Sequence, residues 1–327
     1  SGGTVLSKSD LLFSTVVSHW DKARDKIDEL LTRINRKGEG FRFSNDFIMR
    51  SSLYLINLPT TLKVETFRKD SVLEIRNSWP KIENAIAETV DLLCEFGFNA
   101  ENLVSYVAAM PIVYYRFHGG PFDSDSKREL KKYIVVAQLK QVFGASNNSA
   151  LQSIREKLKD IPGKPFSLSV LQGIHFSGDR TLCYTQEEID ALFDWEIGSY
   201  TFMVLSLLYP NLKYSQKGFH QDHMHPYAGF TTNRLKKVMR PDGSHLDEVK
   251  IYDWQHRRNT LANLQLLEGR ENEQKNKTPL ADWLQSPENA QNAKYLPLGI
   301  SYDLGNFEEF MEKRQELMTE ELKRILL

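Results

Sequence analysis

Phe219-His-Gln-Asp-His-Met-His-Pro226, followed about forty residues later by Asn263-Leu-Gln-Leu-Leu-Glu-Gly-Arg-Glu-Asn272, is the pair of segments on which the fold of this chain turns. The first gathers His220, His223 and His225 with Asp222 inside six residues, from 8 histidines in a chain of 327. Three chemistries fit such a cluster. The His220-x-x-His223-x-His225 spacing offers imidazoles to a zinc ion. A neutral imidazole beside a carboxylate can instead act as general base while the carboxylate holds a harder cation. Ordinary surface or capping histidines are the third reading.

The downstream segment separates these readings. Asn263-Leu-Gln-Leu-Leu267 is apolar and reads as a short strand that Gly269 ends, and Arg270–Lys277 followed by Pro279–Leu284 reads as helix. A strand ending in Asp222-His223, a connection, a second strand and a helix carrying Asn272 make a β-β-α unit. Neighbouring residues on an ideal strand face opposite sides. Asp222 and His223 therefore share a site only at a strand end or a bulge, and Pro226 favours such an irregularity.

The insertion between the segments carries Arg234, Lys236, Lys237, Arg240, Arg257 and Arg258, with Trp254 expected in a core. Residues 211–277 hold 12 basic and 8 acidic residues, a balance of +4, whereas 278–327 hold 5 and 9, a balance of −4. A solvated surface explains that swing as readily as an anionic ligand does. Upstream, Thr185-Gln-Glu-Glu188 opens a capped helix to Trp195, and an apolar helix spans about Tyr200–Leu208. A final amphipathic helix is predicted at Phe307–Leu326.

Before residue 160 the pattern is helical throughout. Leu11, Leu12, Val16, Val17, Trp20, Ala23, Ile27, Leu30, Leu31 and Ile34 predict one long helix, with Ser7 and Asp10 as a capping pair. Ser44–Asn57, Val72–Phe96, Ala100–Phe117, Ser126–Phe143 and Ser146–Leu158 read the same way. Pro80 is expected at a helix boundary and Pro111 at a kink or break. The fold class is thus mainly α: a helical bundle domain over residues 1–160, a linker over 161–180 around Ile161-Pro-Gly-Lys-Pro165, and over 181–327 a helix-rich domain with a small β-β-α finger.

A net charge of −1 predicts no polyanion partner from bulk electrostatics, so any basic patch must be local. Cys94 and Cys183 are too few for a cysteine-built zinc site and fit free thiols in a reducing cytosol. No apolar run reaches about 18–20 residues, and SGGTVLSKSD lacks a signal-peptide pattern. A soluble cytoplasmic protein with no membrane partner is expected, and a homo-oligomer is compatible with the sequence. Gly2-Gly3 lacks the Gly-Lys-Ser/Thr ending of a phosphate loop. Without an initiator Met, the chain reads as a fragment or processed product.

Asp222-His223-Met-His-Pro226 resembles the Asp-His-Ile-x-Pro signature of HNH (His-Me finger) nucleases, and Asn263 and Asn272 resemble that motif's two asparagines, with the nine-residue step of the HNH domain in RNA-guided Cas nucleases. Lys275 matches a lysine of the same helix. The run Asn263–Gly269, Glu271-Asn272, Lys275 and Pro279-Leu-Ala-Asp-Trp283 looks like the C-terminal nuclease half of GmrSD-type restriction enzymes, which attack modified phage DNA. The first half resembles the helical part that follows that family's sensor domain, and Gly2-Gly3-Thr4-Val-Leu6 the tail of its Asn-Ser-Gly-Gly-Thr-x-Leu motif. The sensor's Gly-Gln-Gln-Arg motif has no counterpart, so no nucleotide is expected. The resemblance implies a DNA endonuclease using Mg²⁺ or Mn²⁺, with His223 as general base and Asp222 and Asn272 as metal ligands. It implies further that Asn263 braces the loop of His223 and that Lys275 meets the phosphate. DNA would be held by the six basic residues of the insertion, Arg257-Arg258 above all. His220 and His225 are open between loop support and phosphate contact. The rival reading is a non-catalytic interaction module with a degenerate nuclease fold; a zinc hydrolase is third.

Overall fold

Apolar spacing does fold into helices through residue 158, although the helix ends obey local chemistry that periodicity does not carry. The computed structural model describes residues 8–144 and 147–327, with side chains from Phe13 onward except Val64. The Gly2–Ser7 segment, the side chain of Asp10 and Ser146 lie outside the described residues. The chain divides into two compact units, Ser1–Leu182 and Cys183–Leu327.

In the first unit α1 (Lys8–His19) and α2 (Ala23–Asn35) replace the single long helix expected. The break falls at Trp20–Lys22, where the Asp21 carboxylate accepts a hydrogen bond from the Lys22 amide at 3.1 Å and competes with the helical ladder. The buried Trp20 packs edge-on against Trp79, with ring centroids 5.0 Å apart. α3 (Asn45–Leu55) is capped by Ser44. α4 (Lys69–Glu95) runs through Pro80 instead of stopping at it. Pro80 lies on the solvent face while Trp79 and Ile82 are buried, so the lost hydrogen bond falls where water can replace it. Residues 100–105 are not helical, because Asn99 Oδ1 takes the amides of Glu101 and Asn102. A 3-10 turn over Tyr106–Ala109 then leads into α5 (Met110–Phe117), with Pro111 in its first turn. α6 (Ser124–Leu139), capped by Asp123, and α7 (Asn147–Leu158) follow. α5 is apolar on nearly every side and packs against α3, α4 and α7, which makes it the centre of this core.

Residues 161–180, expected as a linker, belong to the first unit. Phe166, Leu168 and Leu171 are buried, Lys164 accepts from the Tyr115 hydroxyl, and the Phe166 and Leu168 amides donate to Ser126 Oγ and a Glu129 carboxylate oxygen. The division falls at Leu182–Cys183 instead. Cys94 and Cys183 are half-buried and not joined in a disulfide.

The second unit opens with α8 (Gln186–Ala191), whose Thr185–Glu188 capping box is complete. α9 (Ser199–Leu208) leads to β1 (Phe219–His223), and β2 (Leu264–Glu268) pairs with it antiparallel. Between them lie α10 (Thr232–Leu235) and α11 (Glu248–Arg257). α12 (Gly269–Lys275), α13 (Leu280–Trp283), α14 (Pro287–Asn292) and α15 (Phe307–Leu326) complete the order. The apolar α9 packs against β2 and α15, and the rings of Trp254 and Phe230 meet Phe307 tilted and edge-on, with centroids 5.1 and 4.8 Å away. Among the described residues the protein is thus mainly helical with one small antiparallel sheet, and no helix is long and apolar enough to cross a membrane.

Candidate active site

The hairpin register sets the site. Asp222 faces Gln265 across the ladder, and His223, the last residue of β1, faces Leu264. α12 begins directly after β2, at a glycine over which the ring of His220 lies. A Cβ on Gly269 would stand 3.5 Å from His220 Nε2. The helix packs against both strands and ends at Asn276, where a positive φ of 43° turns the chain away. Strand end and helix together enclose a cleft of about 570 Å³ lined by Asp222, His223, Tyr227, Asn272, Glu273 and Asn276 among others. The strand-end position lets Asp222 and His223 line the same cleft although they are neighbours in β1.

His223 is half-buried and held from outside the hairpin. Its Nε2 lies 3.1 Å from Asn259 Oδ1 and its ring meets Tyr227 edge-on at 5.8 Å. Donation from Nε2–H to the amide oxygen fixes the tautomer that leaves the Nδ1 lone pair free. Burial pushes the imidazole pKa below its ordinary value against the opposing pull of Asn259 and Asp222, with Lys275 and Arg258 adding to the depression. The ring is therefore neutral near pH 7, the state in which an imidazole can accept a proton.

Asp222 lies in a charged, buried setting. Its Oδ2 receives Gln265 Nε2 and Lys275 Nζ, both at 2.9 Å, and the same ammonium donates to the His223 carbonyl. Lys275 is fully buried, so it does not meet a phosphate from the surface, as the resemblance had implied. Burial lowers its pKa, and Asp222 opposes that shift. Both partners of the carboxylate converge on Oδ2, which leaves Oδ1 as the oxygen a cation could take. Asp222 Oδ1 and the Asn272 amide oxygen are hard donors, so the set fits a Mg²⁺- or Mn²⁺-like ion better than a thiophilic one. Among the described residues no group of three or more His, Cys, Asp or Glu could hold a metal. The three histidines of the cluster occupy three separate environments.

Asn263 is a brace. Fully buried, it accepts the His225 amide at 2.9 Å and donates to the carbonyls of His225 at 3.1 Å and Arg258 at 2.8 Å, tying the loop after β1 to the entry of β2. His225 lies between Phe310 and Phe307 at 4.7 and 5.6 Å and is 2% exposed, so it supports the loop and does not reach phosphate. Burial drives its pKa down to about 3. The unfolded chain takes up a proton near the ordinary value of 6.5 that the fold refuses, so this contribution is intact above pH 6.5 and lost as pH falls toward 3. Between pH 7.5 and 4.5 the loss is expected to be about 2–3 kcal/mol. Urea unfolding at the two pH values measures it, and His225→Phe should show a smaller drop; an equal drop would remove His225 as the cause.

The basic residues of the insertion separate into two groups. Arg234, Lys236 and Lys237 are exposed, although Arg234 also donates to the Ala228 carbonyl. Arg240 is tied to Glu308 at 2.8 Å, and Glu308 is shared with Lys250. Arg257 lies 3.8 Å from Asp253, and Arg258 is folded over the Tyr227 ring with its carbon 3.8 Å from the centroid. Arg240, Arg257 and Arg258 are thus engaged within the fold, and the pair favoured from sequence is less available to phosphate than Lys236-Lys237.

Asn259, Gln265, Tyr227 and Arg314 escaped the sequence reading. Arg314, fully buried on α15, donates to the carbonyls of Ala262 and Leu264 and lies 3.3 Å from the Tyr209 hydroxyl. An arginine on the apolar side of an otherwise amphipathic helix was the one available signal. No protein-family model matches the chain, and no curated protein matches it.

Proposed function

We propose that the protein is a metal-dependent DNA endonuclease of the HNH (His-Me finger) type, related to the nuclease half of GmrSD-type restriction enzymes and acting in the cytosol on modified phage DNA. The observation that carries this reading is the single cleft at the end of a β-β-α unit that Asp222, His223 and Asn272 line together. A divalent cation held by Asp222 and Asn272 would stabilise negative charge on the phosphate oxygens. His223 takes the proton of the attacking water at Nδ1, which its bond to Asn259 leaves unprotonated. Asn263 keeps the loop of His223 in register, and Lys275 holds Asp222 from behind instead of touching phosphate. Lys236, Lys237 and Arg234 supply backbone attraction.

Supercoiled plasmid nicking with Mg²⁺ or Mn²⁺, with chelator and His223→Ala as controls, tests the reading. Metal-dependent cutting that His223→Ala loses is the expected result; cutting that survives the substitution rejects the base assignment. One observation favours the non-catalytic interaction module: Lys275 already neutralises the carboxylate that a cation would need. No cutting by the wild type on modified or plain DNA with either metal would decide for that module. Lys236→Ala/Lys237→Ala is expected to weaken DNA binding uniformly across sequences and to flatten the salt dependence by about 2 in log K against log salt. An unchanged slope in fluorescence anisotropy titrations would move the phosphate contacts elsewhere.

A further inference from the structure

Tyr227 is 53% exposed at the wall of the cleft, the only phenol or phenyl ring among the described residues that line it. One face is covered by the Arg258 guanidinium at 3.8 Å, and Arg258 Nη1 lies 3.4 Å from the Phe230 carbonyl. One side meets His223 at 5.8 Å and an interplanar angle of 62°. A surface tyrosine held on two sides has already lost its rotamer freedom, so a ligand meeting the remaining face gains contact at little further ordering cost. The cation behind the ring adds positive potential where an anion would approach.

Resting on the nuclease reading, we propose that Tyr227 is a stacking platform for a nucleobase next to the scissile phosphate, with Arg258 as its backing. A base is joined to its phosphate through one sugar, so a phosphate within reach of His223 brings a flanking base to the neighbouring ring. Aromatic stacking of this kind tolerates any base, because every base offers a π-face. In duplex DNA both faces of a base are covered by its neighbours, so a base on Tyr227 has left the stack. The enzyme therefore favours sites where the flanking nucleotide is mismatched or unpaired over fully paired ones.

The test couples a protein change to a substrate change. A duplex oligonucleotide with a mapped cut position is compared with the same duplex carrying an abasic nucleotide on one or the other side of the cut. Wild-type kcat/KM should fall about 5- to 100-fold with the abasic nucleotide on the stacking side. Tyr227→Leu should fall by a similar factor on the intact duplex and lose nothing more on the abasic one, while Tyr227→Trp retains activity. If the two losses multiply, or Tyr227→Leu cuts like wild type, the platform is refuted and the nuclease reading stands. If the wild type cuts neither duplex with Mg²⁺ or Mn²⁺, the nuclease reading falls and takes this inference with it.

Discussion

Lys275→Met is expected to cost about 3–5 kcal/mol of folding stability, the range for breaking a buried ion pair from one side. The lysine side chain is 0% exposed and the Asp222 side chain 7%, with 2.9 Å between Nζ and Oδ2. Methionine keeps the apolar stem but removes the charge, so the carboxylate is left with Gln265 alone and the His223 carbonyl loses its donor. Removing both charges should be gentler, because a buried pair exchanged as a unit is often close to neutral. Lys275→Met/Asp222→Asn is therefore expected to recover most of the loss. Urea unfolding of the three proteins measures this. A single substitution costing under about 1 kcal/mol, or a double one no better than the single, would mean that the pair does not hold the hairpin to α12.

His223→Ala is expected to slow DNA cleavage by about 10²–10⁴-fold, the usual contribution of a positioned general base. The ring is only half-buried and makes one side-chain hydrogen bond, to the half-buried Asn259 amide, so the fold should survive where the activity does not. The sign of the pH dependence follows from the depressed pKa. In the proposed reaction His223 works unprotonated, so wild-type kcat/KM should hold through pH 6.5 and decline only below it. Asn259→Ala should cause a smaller loss, since the ring stays but its tautomer is no longer enforced. A decline that begins above pH 6.5, or a His223→Ala protein with near wild-type rates, would remove His223 from the role of base.

The β-β-α order was legible because its signals are local: an apolar run closed by Gly269, a polar helix after it, and Asp222-His223 at the far strand's end. Phe307–Leu326 and the Thr185 capping box were legible for the same reason. The split at Trp20–Lys22 was not, because apolar spacing continues through it without glycine or proline. Pro80 misled in the opposite direction: its ring sits on the solvent face of a helix whose buried side outweighs one missing hydrogen bond. The Asp222–Lys275 and His223–Asn259 pairs join residues 53 and 36 positions apart. Such partners carry no mark in a single sequence, because burial, not residue type, turns a solvated lysine into an internal counter-ion.

Arg314 also imposes an order on biosynthesis. The finger, complete at Lys275, leaves the ribosome ahead of the residue that takes the carbonyls of Ala262 and Leu264 on either side of Asn263. At 5–20 residues per second the 39 residues from Asn276 through Arg314 take about 2–8 s. During that interval the nascent hairpin lacks the guanidinium that takes the carbonyls on either side of Asn263, where the 3-10 turn over Leu261–Asn263 enters β2. Docking of α15, the last of the described helices, is thus what completes the hydrogen bonding around Asn263.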